Sequence, residues 1–192
     1  MGRKKIARYI FDDHSDIQPR IERTLKILDC KTVADALPTI LKAAQDAKLS
    51  YLEFIELLFD QEMHKREAER IERWCKQARF PWTKNLGDYD FEFPDSIDKD
   101  KIMELAECRW IKNGGNLIFF GPSGVGKTHL SIALGLEAIN RGYETRFITV
   151  DRLTEMIRIT TGKDKANESG EHRKKLLSSF SNVKLLIIDE LA

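Results

Sequence analysis

In the first half of the chain, apolar residues recur at helical spacing; in the second half, short apolar runs alternate with helical stretches. From Ile21 the period is helical, with Ile21, Leu25 and Leu28 on one face. Thr32 reads as the cap of a short segment that must break before Pro38, because a residue ahead of proline is pushed out of the α region. Pro38 can itself open the next helix, which runs to about Lys48 with Ile40, Leu41 and Ala44 on one side. Ser50-Tyr51-Leu52-Glu53 is a capping box, in which each end side chain satisfies a free backbone N–H of the other. The helix it opens is predicted to reach about Arg79, where Pro81 stops it. Its first half carries Phe54, Ile55, Leu57, Leu58 and Phe59 as packing surface. The second half is charged nearly all round and is held by i,i+4 pairs such as Glu62 with Arg66 and Glu69 with Arg73. Ile71, Trp74, Cys75 and Ala78 leave only a narrow apolar stripe there.

Asn85 to Pro94 is acidic and aromatic without any period, which marks it as a joint between modules. A helix is predicted from about Ile97 to Ile111, with Met103, Ala106 and Trp110 inward, ended by Asn113-Gly114-Gly115. Leu117 to Phe120 then reads as a strand. A helical pattern follows (Leu130, Ala133, Leu134, Leu136, Ala138), then a turn at Arg141-Gly142 and a strand over Thr145 to Val150. Asp151 is expected to cap a helix carrying Leu153, Met156 and Ile157. After the polar stretch Gly162 to Gly170, a helix over Glu171 to Phe180 leads into Val183 to Ile188, a strand expected to be buried on both faces and closed by Asp189-Glu190. Alternating strands and helices predict an α/β fold with a parallel sheet. The expected organisation is a flexible extension over 1–20, a small all-α domain over 21–84 and the α/β unit over 85–192.

At 192 residues the chain can bury one good core plus a small helical module. Charge is balanced, 32 Lys and Arg against 31 Asp and Glu, so no global signature of nucleic-acid binding exists. Locally, Lys65, Arg66, Arg70, Arg73, Lys76, Arg79 and Lys84 outnumber Glu67, Glu69 and Glu72 beside Trp74, Phe80 and Trp82. This is either a DNA-backbone surface or a solvated helix face whose aromatics anchor it to the next domain. The Arg3-Lys4-Lys5 cluster reads as solvated. Cys30, Cys75 and Cys108 show no C-x-x-C spacing, which argues against a disulfide framework or zinc site and for a reducing cytoplasm. No apolar run is long enough to span a bilayer, and Ile6 stands where a myristoylation motif wants Ser or Thr.

The chemistry concentrates in Gly121-Pro122-Ser123-Gly124-Val125-Gly126-Lys127-Thr128, a G-x-x-x-x-G-K-[ST] phosphate-binding loop between the predicted strand and helix. Gly124 and Gly126 can take positive φ, so that successive backbone N–H groups turn inward around phosphate oxygens. Lys127 brings a point charge to the outer phosphates, and the Thr128 hydroxyl suits one position around Mg2+. His129 falls just after, on the helix surface near the phosphates. Asp189, at a strand's C-terminal end, suits magnesium-bound water, and Glu190 suits the attacking water. Together these groups argue for ATP hydrolysis. Competing chemistries fail: Gly121-Pro122-Ser123-Gly124-Val125 lacks the final glycine of a nucleophile elbow, and His14, His64, His129 and His172 form no H-E-x-x-H spacing.

From about Thr32 onward the chain resembles the IstB-type transposition helper ATPases, relatives of the DnaC-type helicase loaders in the AAA+ class. The resemblance rests on Ala78-Arg79-Phe80-Pro81 followed by Tyr89-Asp90-Phe91, on Arg109-Trp110-Ile111, on the run Gly121 to Gly135, and on Leu185 to Leu191. It implies a P-loop, AAA+-like sheet and an ATP- and Mg2+-dependent homo-oligomer that assembles on DNA and serves a transposase. It also implies that Lys127 and Thr128 serve phosphate and metal, Asp189 the metal and Glu190 the water, with an arginine from a neighbouring subunit completing each site. A DnaC-type loader would differ only in its client, a replicative helicase. A further alternative is a nonenzymatic module whose N-terminal helices bind a partner. In that family the strand ending at Phe120 is expected between two strands encoded later. A stop at Ala192 therefore suggests a truncated product or a fragment.

Overall fold

The computed structural model describes residues 17–92, 97–161, 178, 180 and 183–190. The Arg3-Lys4-Lys5 cluster, and nearly all of the stretch from Gly162 through the helix expected at Glu171, lie outside them. The chain forms two compact units, Met1–Glu69 and Arg70–Ala192.

In the first unit, α1 (Ile17–Ile27) starts four residues earlier than the apolar period suggests, so 17–20 are helical rather than part of an extension. Pro19 is tolerated because it stands in the first turn, where no intrahelical N–H bond is needed. The Gln18 amide also donates to Glu22 at 2.9 Å. α2 (Lys31–Asp46) runs unbroken through Pro38, against the predicted break, and its cap is Cys30 rather than Thr32, with no side-chain capping bond. An interior proline costs about 3 kcal/mol. Val33, Ala34, Leu37 and Ile40 are buried along one face, and at about 1.5–3 kcal/mol for each large side chain their burial outweighs that loss.

α3 (Tyr51–Ala78) begins at the predicted capping box. The Ser50 N–H donates to Glu53 Oε2 at 2.7 Å, and the Glu53 N–H donates to Ser50 Oγ at 3.3 Å. The Ser50 hydroxyl and the Ser50 backbone N–H hold the Glu53 carboxyl below its ordinary pKa of 4.5. A lowered folded pKa means that the carboxylate stabilises the fold above the unfolded value and that this contribution is lost as pH falls through the folded one. Ser50→Ala should therefore lower helix content at neutral pH and flatten the acid-side loss below pH 4.5, read by far-UV circular dichroism. Of the expected packing surface, Phe54, Leu57 and Leu58 are half-buried whereas Ile55 and Phe59 are exposed.

The predicted pair Glu62 and Arg66 forms at 2.8 Å, whereas Glu69 pairs with Lys65 at 3.4 Å. The helix ends where Arg79 turns left-handed at φ +60°, ahead of Pro81.

The second unit contains the sheet. The single helix predicted over 97–111 is two, α4 (Lys99–Ala106) and α5 (Arg109–Lys112). They divide at buried Cys108, whose φ is +60°. The Trp110 indole N–H donates to the Leu105 carbonyl at 2.9 Å, satisfying an acceptor near the break. Asp98 caps α4 by accepting from the Lys101 N–H at 3.2 Å.

α6 (Lys127–Asn140), β1 (Thr145–Thr149), α7 (Val150–Thr161) and β2 (Leu185–Asp189) follow. β1 and β2 pair in parallel, with Thr145 opposite Leu185 and Thr149 opposite Asp189. α6 buries Ile132, which meets Phe147 and Ile187 from the two strands, with Phe80, Leu136 and Leu185 packed around them. Phe80 meets Phe147 edge-on at 6.3 Å between centroids, so this aromatic belongs to the core. α7 begins one residue before the predicted cap: the Thr149 hydroxyl, not Asp151, accepts from the Arg152 N–H at 3.3 Å.

Two strand predictions change. β2 buries Ile187 but leaves Leu186 and Ile188 40% and 51% exposed, so it is covered on one face only. Leu117 to Phe120 has no ladder partner among the described residues and is not a strand. A cleft of about 510 Å³ is lined jointly by Leu117, Ile118 and Phe119 and by β2. An apolar run becomes a strand only when another backbone supplies its hydrogen bonds. No helix among the described residues is long and apolar enough to cross a membrane.

Candidate functional site

The loop from Gly121 to Gly126 delivers the chain into the N-terminus of α6. Gly124 and Gly126 adopt φ of +85° and +86°, the left-handed conformation a side chain would strain. Gly126 is the residue before the first helical one, Lys127. The free N–H groups of the first turn of α6 and the positive end of its dipole therefore lie beside the loop.

Lys127 and Thr128 occupy that first turn. The Lys127 ammonium donates to the carbonyls of Gly121 at 2.9 Å and Pro122 at 2.7 Å, so its charge sits at the start of the loop. The Thr128 hydroxyl donates to Asp189 Oδ2 at 2.7 Å. This bond joins the loop to the C-terminal end of β2, across 61 positions of sequence. Pro122, Ser123 and Gly124 are exposed, and Val125 is half-buried. Glu190 follows β2 directly and is exposed to solvent.

His129 is also drawn into this region, by contacts the linear sequence did not suggest. Its Nε2 lies 3.0 Å from the Asn85 carbonyl, and its ring meets the Tyr89 ring edge-on at 5.2 Å. The Tyr89 hydroxyl in turn donates to the Val125 carbonyl at 2.7 Å. Burial and the neighbouring Asp90 carboxylate push the Tyr89 phenol above its ordinary pKa, so the hydroxyl remains a donor. Asn85 and Tyr89 lie in the segment read from sequence as a joint. A run of aromatics among acids was the available signal, but it does not say what the rings touch.

The site residues fit a nucleoside triphosphate with magnesium. A hydroxyl and a carboxylate 2.7 Å apart are hard oxygen donors, and magnesium commonly takes one or two protein oxygens together with phosphates and water. The Thr128 proton points at Asp189, which leaves the hydroxyl lone pairs available to a cation. Among the described residues no cluster of three or more His, Cys, Asp or Glu forms a separate metal cage.

The basic stretch of α3 is drawn partly into internal contacts. Arg70 stacks over Trp74, 4.3 Å from its ring centroid, and donates to the Ile139 carbonyl at 3.3 Å. Lys76 pairs with Glu72. Such exposed pairs add little stability, but they reduce the positive charge offered outward.

The family model for IstB-like ATP binding proteins matches residues 23–192 of this chain. The chain belongs to that family. Its fold is accordingly of the P-loop α/β type, here mostly helical with a small parallel sheet. Among family relatives, the ATP-binding protein of insertion sequence IS21 from Pseudomonas aeruginosa is 35% identical over 171 residues, covering 89% of this chain and 62% of the relative. The ATP-binding protein of insertion sequence IS5376 from Geobacillus stearothermophilus is 34% identical, over 91% of this chain and 67% of its own length. That of insertion sequence IS232 from Bacillus thuringiensis subsp. berliner is 32% identical, over 90% and 66%. The chain thus spans 62–67% of the length of these relatives.

Proposed function

We propose that the chain is an ATP-binding and ATP-hydrolysing helper for DNA transposition, acting as a homo-oligomer on DNA with a transposase. The observation that carries the nucleotide chemistry is the Thr128 to Asp189 hydrogen bond, which brings the loop and the acidic strand end into one site. The transposition context is supported by the relatives' descriptions as insertion-sequence ATP-binding proteins. Those descriptions also favour this reading over a DnaC-type helicase loader, whose nucleotide chemistry would be the same.

In this reading the loop N–H groups and the Lys127 ammonium bind the phosphates, and Thr128 and Asp189 hold magnesium. Magnesium held there would supply neutralisation of charge on the outer phosphates. Glu190, one residue beyond Asp189, orients and polarises a water that attacks the terminal phosphorus. The bond to the bridging oxygen breaks and ADP and phosphate leave. Positioning and charge supply most of the acceleration, because phosphoryl transfer needs little covalent chemistry from the protein.

The test separates binding from turnover. Glu190→Gln should retain ATP affinity while hydrolysis falls by on the order of a hundredfold, the scale of a lost water-activating carboxylate. Unchanged turnover in that variant would remove Glu190 from the mechanism. A parent chain that binds ATP but never hydrolyses it would instead support the nonenzymatic interaction module.

A further inference from the structure

We propose that Tyr89 is a positioning residue for the phosphate loop, clamping its last turn from the segment that precedes α4. The inference rests on the nucleotide-binding reading above but concerns the loop itself, so it can fail or stand separately.

Two contacts converge. The Tyr89 hydroxyl donates to the Val125 carbonyl at 2.7 Å, which fixes the peptide between Val125 and Gly126. That peptide lies just ahead of Lys127, so its orientation sets where the helix starts and where its first N–H groups aim. The Tyr89 ring covers Gly126: a Cβ built there would lie 2.5 Å from Cε2. Gly126 is thereby required twice, by its φ of +86° and by the ring seated against it. The contact at Gly124 is different, because a Cβ there would meet nothing within 4 Å.

The clamp is itself held. Tyr89 meets Phe91 at 4.9 Å and His129 at 5.2 Å between centroids, both edge-on. His129 Nε2 lies 3.0 Å from the Asn85 carbonyl. Asn85 is fixed by the 3-10 turn Leu86–Asp88, where its N–H donates to Asp88 Oδ2 at 3.2 Å. Residues 85–91 therefore grip the loop at Val125 and the first turn of α6 at His129. A glycine-rich loop is entropically expensive to order. Holding one of its carbonyls before nucleotide arrives lowers the ordering needed on binding.

The experiment uses the full chain with Tyr89→Phe, which keeps the ring and removes only the hydroxyl. Amide hydrogen exchange of a peptide spanning the loop, measured without nucleotide, should accelerate about threefold to tenfold, the span of one net hydrogen bond. A peptide from the buried part of α6 should be unchanged, as should the thermal midpoint. The dissociation constant for magnesium–ADP should rise by the same factor, and Tyr89→Ala should raise it further. Unchanged loop exchange in Tyr89→Phe overturns the proposal, and so does acceleration spread equally through α6, which would make Tyr89 only a packing residue. If loop exchange accelerates but the parent binds no nucleotide, the clamp stands and the ATP-binding reading falls.

Discussion

Lys127→Ala is expected to weaken binding of magnesium–ATP by about tenfold to a hundredfold, because a charge-assisted hydrogen bond contributes roughly 1.5–3 kcal/mol. The lysine is placed for this by two constraints: it is the first residue of α6, and its ammonium reaches the Gly121 and Pro122 carbonyls at 2.9 and 2.7 Å. Those acceptors lie in a loop segment open to solvent, so losing the bonds should change the thermal midpoint little. Lys127→Arg should not restore affinity, since a planar guanidinium cannot replace a compact ammonium in a tight loop. Titration calorimetry with ATP reads the affinities, and scanning calorimetry reads the fold. Equal affinity in parent and Lys127→Ala would show that the loop is only a glycine-rich turn.

The second large effect is expected at Gly135, in the middle of α6. A Cβ there would lie 2.7 Å from Ile187 Cδ1 and 2.9 Å from Phe80 Cζ. The helix therefore lies against β2 at a distance that excludes a side chain. Gly135→Val should destabilise the second unit by about 1–3 kcal/mol through overpacking. Gly135→Ala should do less harm, because its gain in helix propensity of about 1 kcal/mol opposes the clash. Ile187 stands two residues before Asp189 on the same strand. Displacing it should also disturb the Thr128 to Asp189 contact and lower nucleotide affinity. Denaturant unfolding measures the first effect and ATP titration the second. Full stability in Gly135→Val would mean that α6 can move away from the sheet without loss.

Both predictions concern residues within the run Gly121 to Gly135, yet they were legible to different degrees. The role of Lys127 follows from a short motif with a local mechanism. The demand on Gly135 does not, because Phe80 and Ile187 approach it from distant parts of the chain. The same divide explains the misplaced boundaries. The Ser50 capping box was readable because its donors and acceptors lie three residues apart. The passage of α2 through Pro38 was not, because burial of Val33, Ala34, Leu37 and Ile40 outweighs the local rule. The break at Cys108 was hidden likewise, since the indole of Trp110 supplies a bond that only the folded chain reveals.

By itself, the sequence determined the chemical types and their order: a phosphate loop opening a helix, an apolar run ending in Asp189 and Glu190, and alternating elements that call for a parallel sheet. These follow from backbone rules acting over a few residues. Tertiary structure decided which of them meet. It placed the Thr128 hydroxyl on Asp189, seated Tyr89 over Gly126, and left Leu117 to Phe120 without a ladder partner among the described residues. Each of those outcomes depends on a contact between segments far apart in the chain, and spacing along the chain carries no information about which distant groups will be brought together.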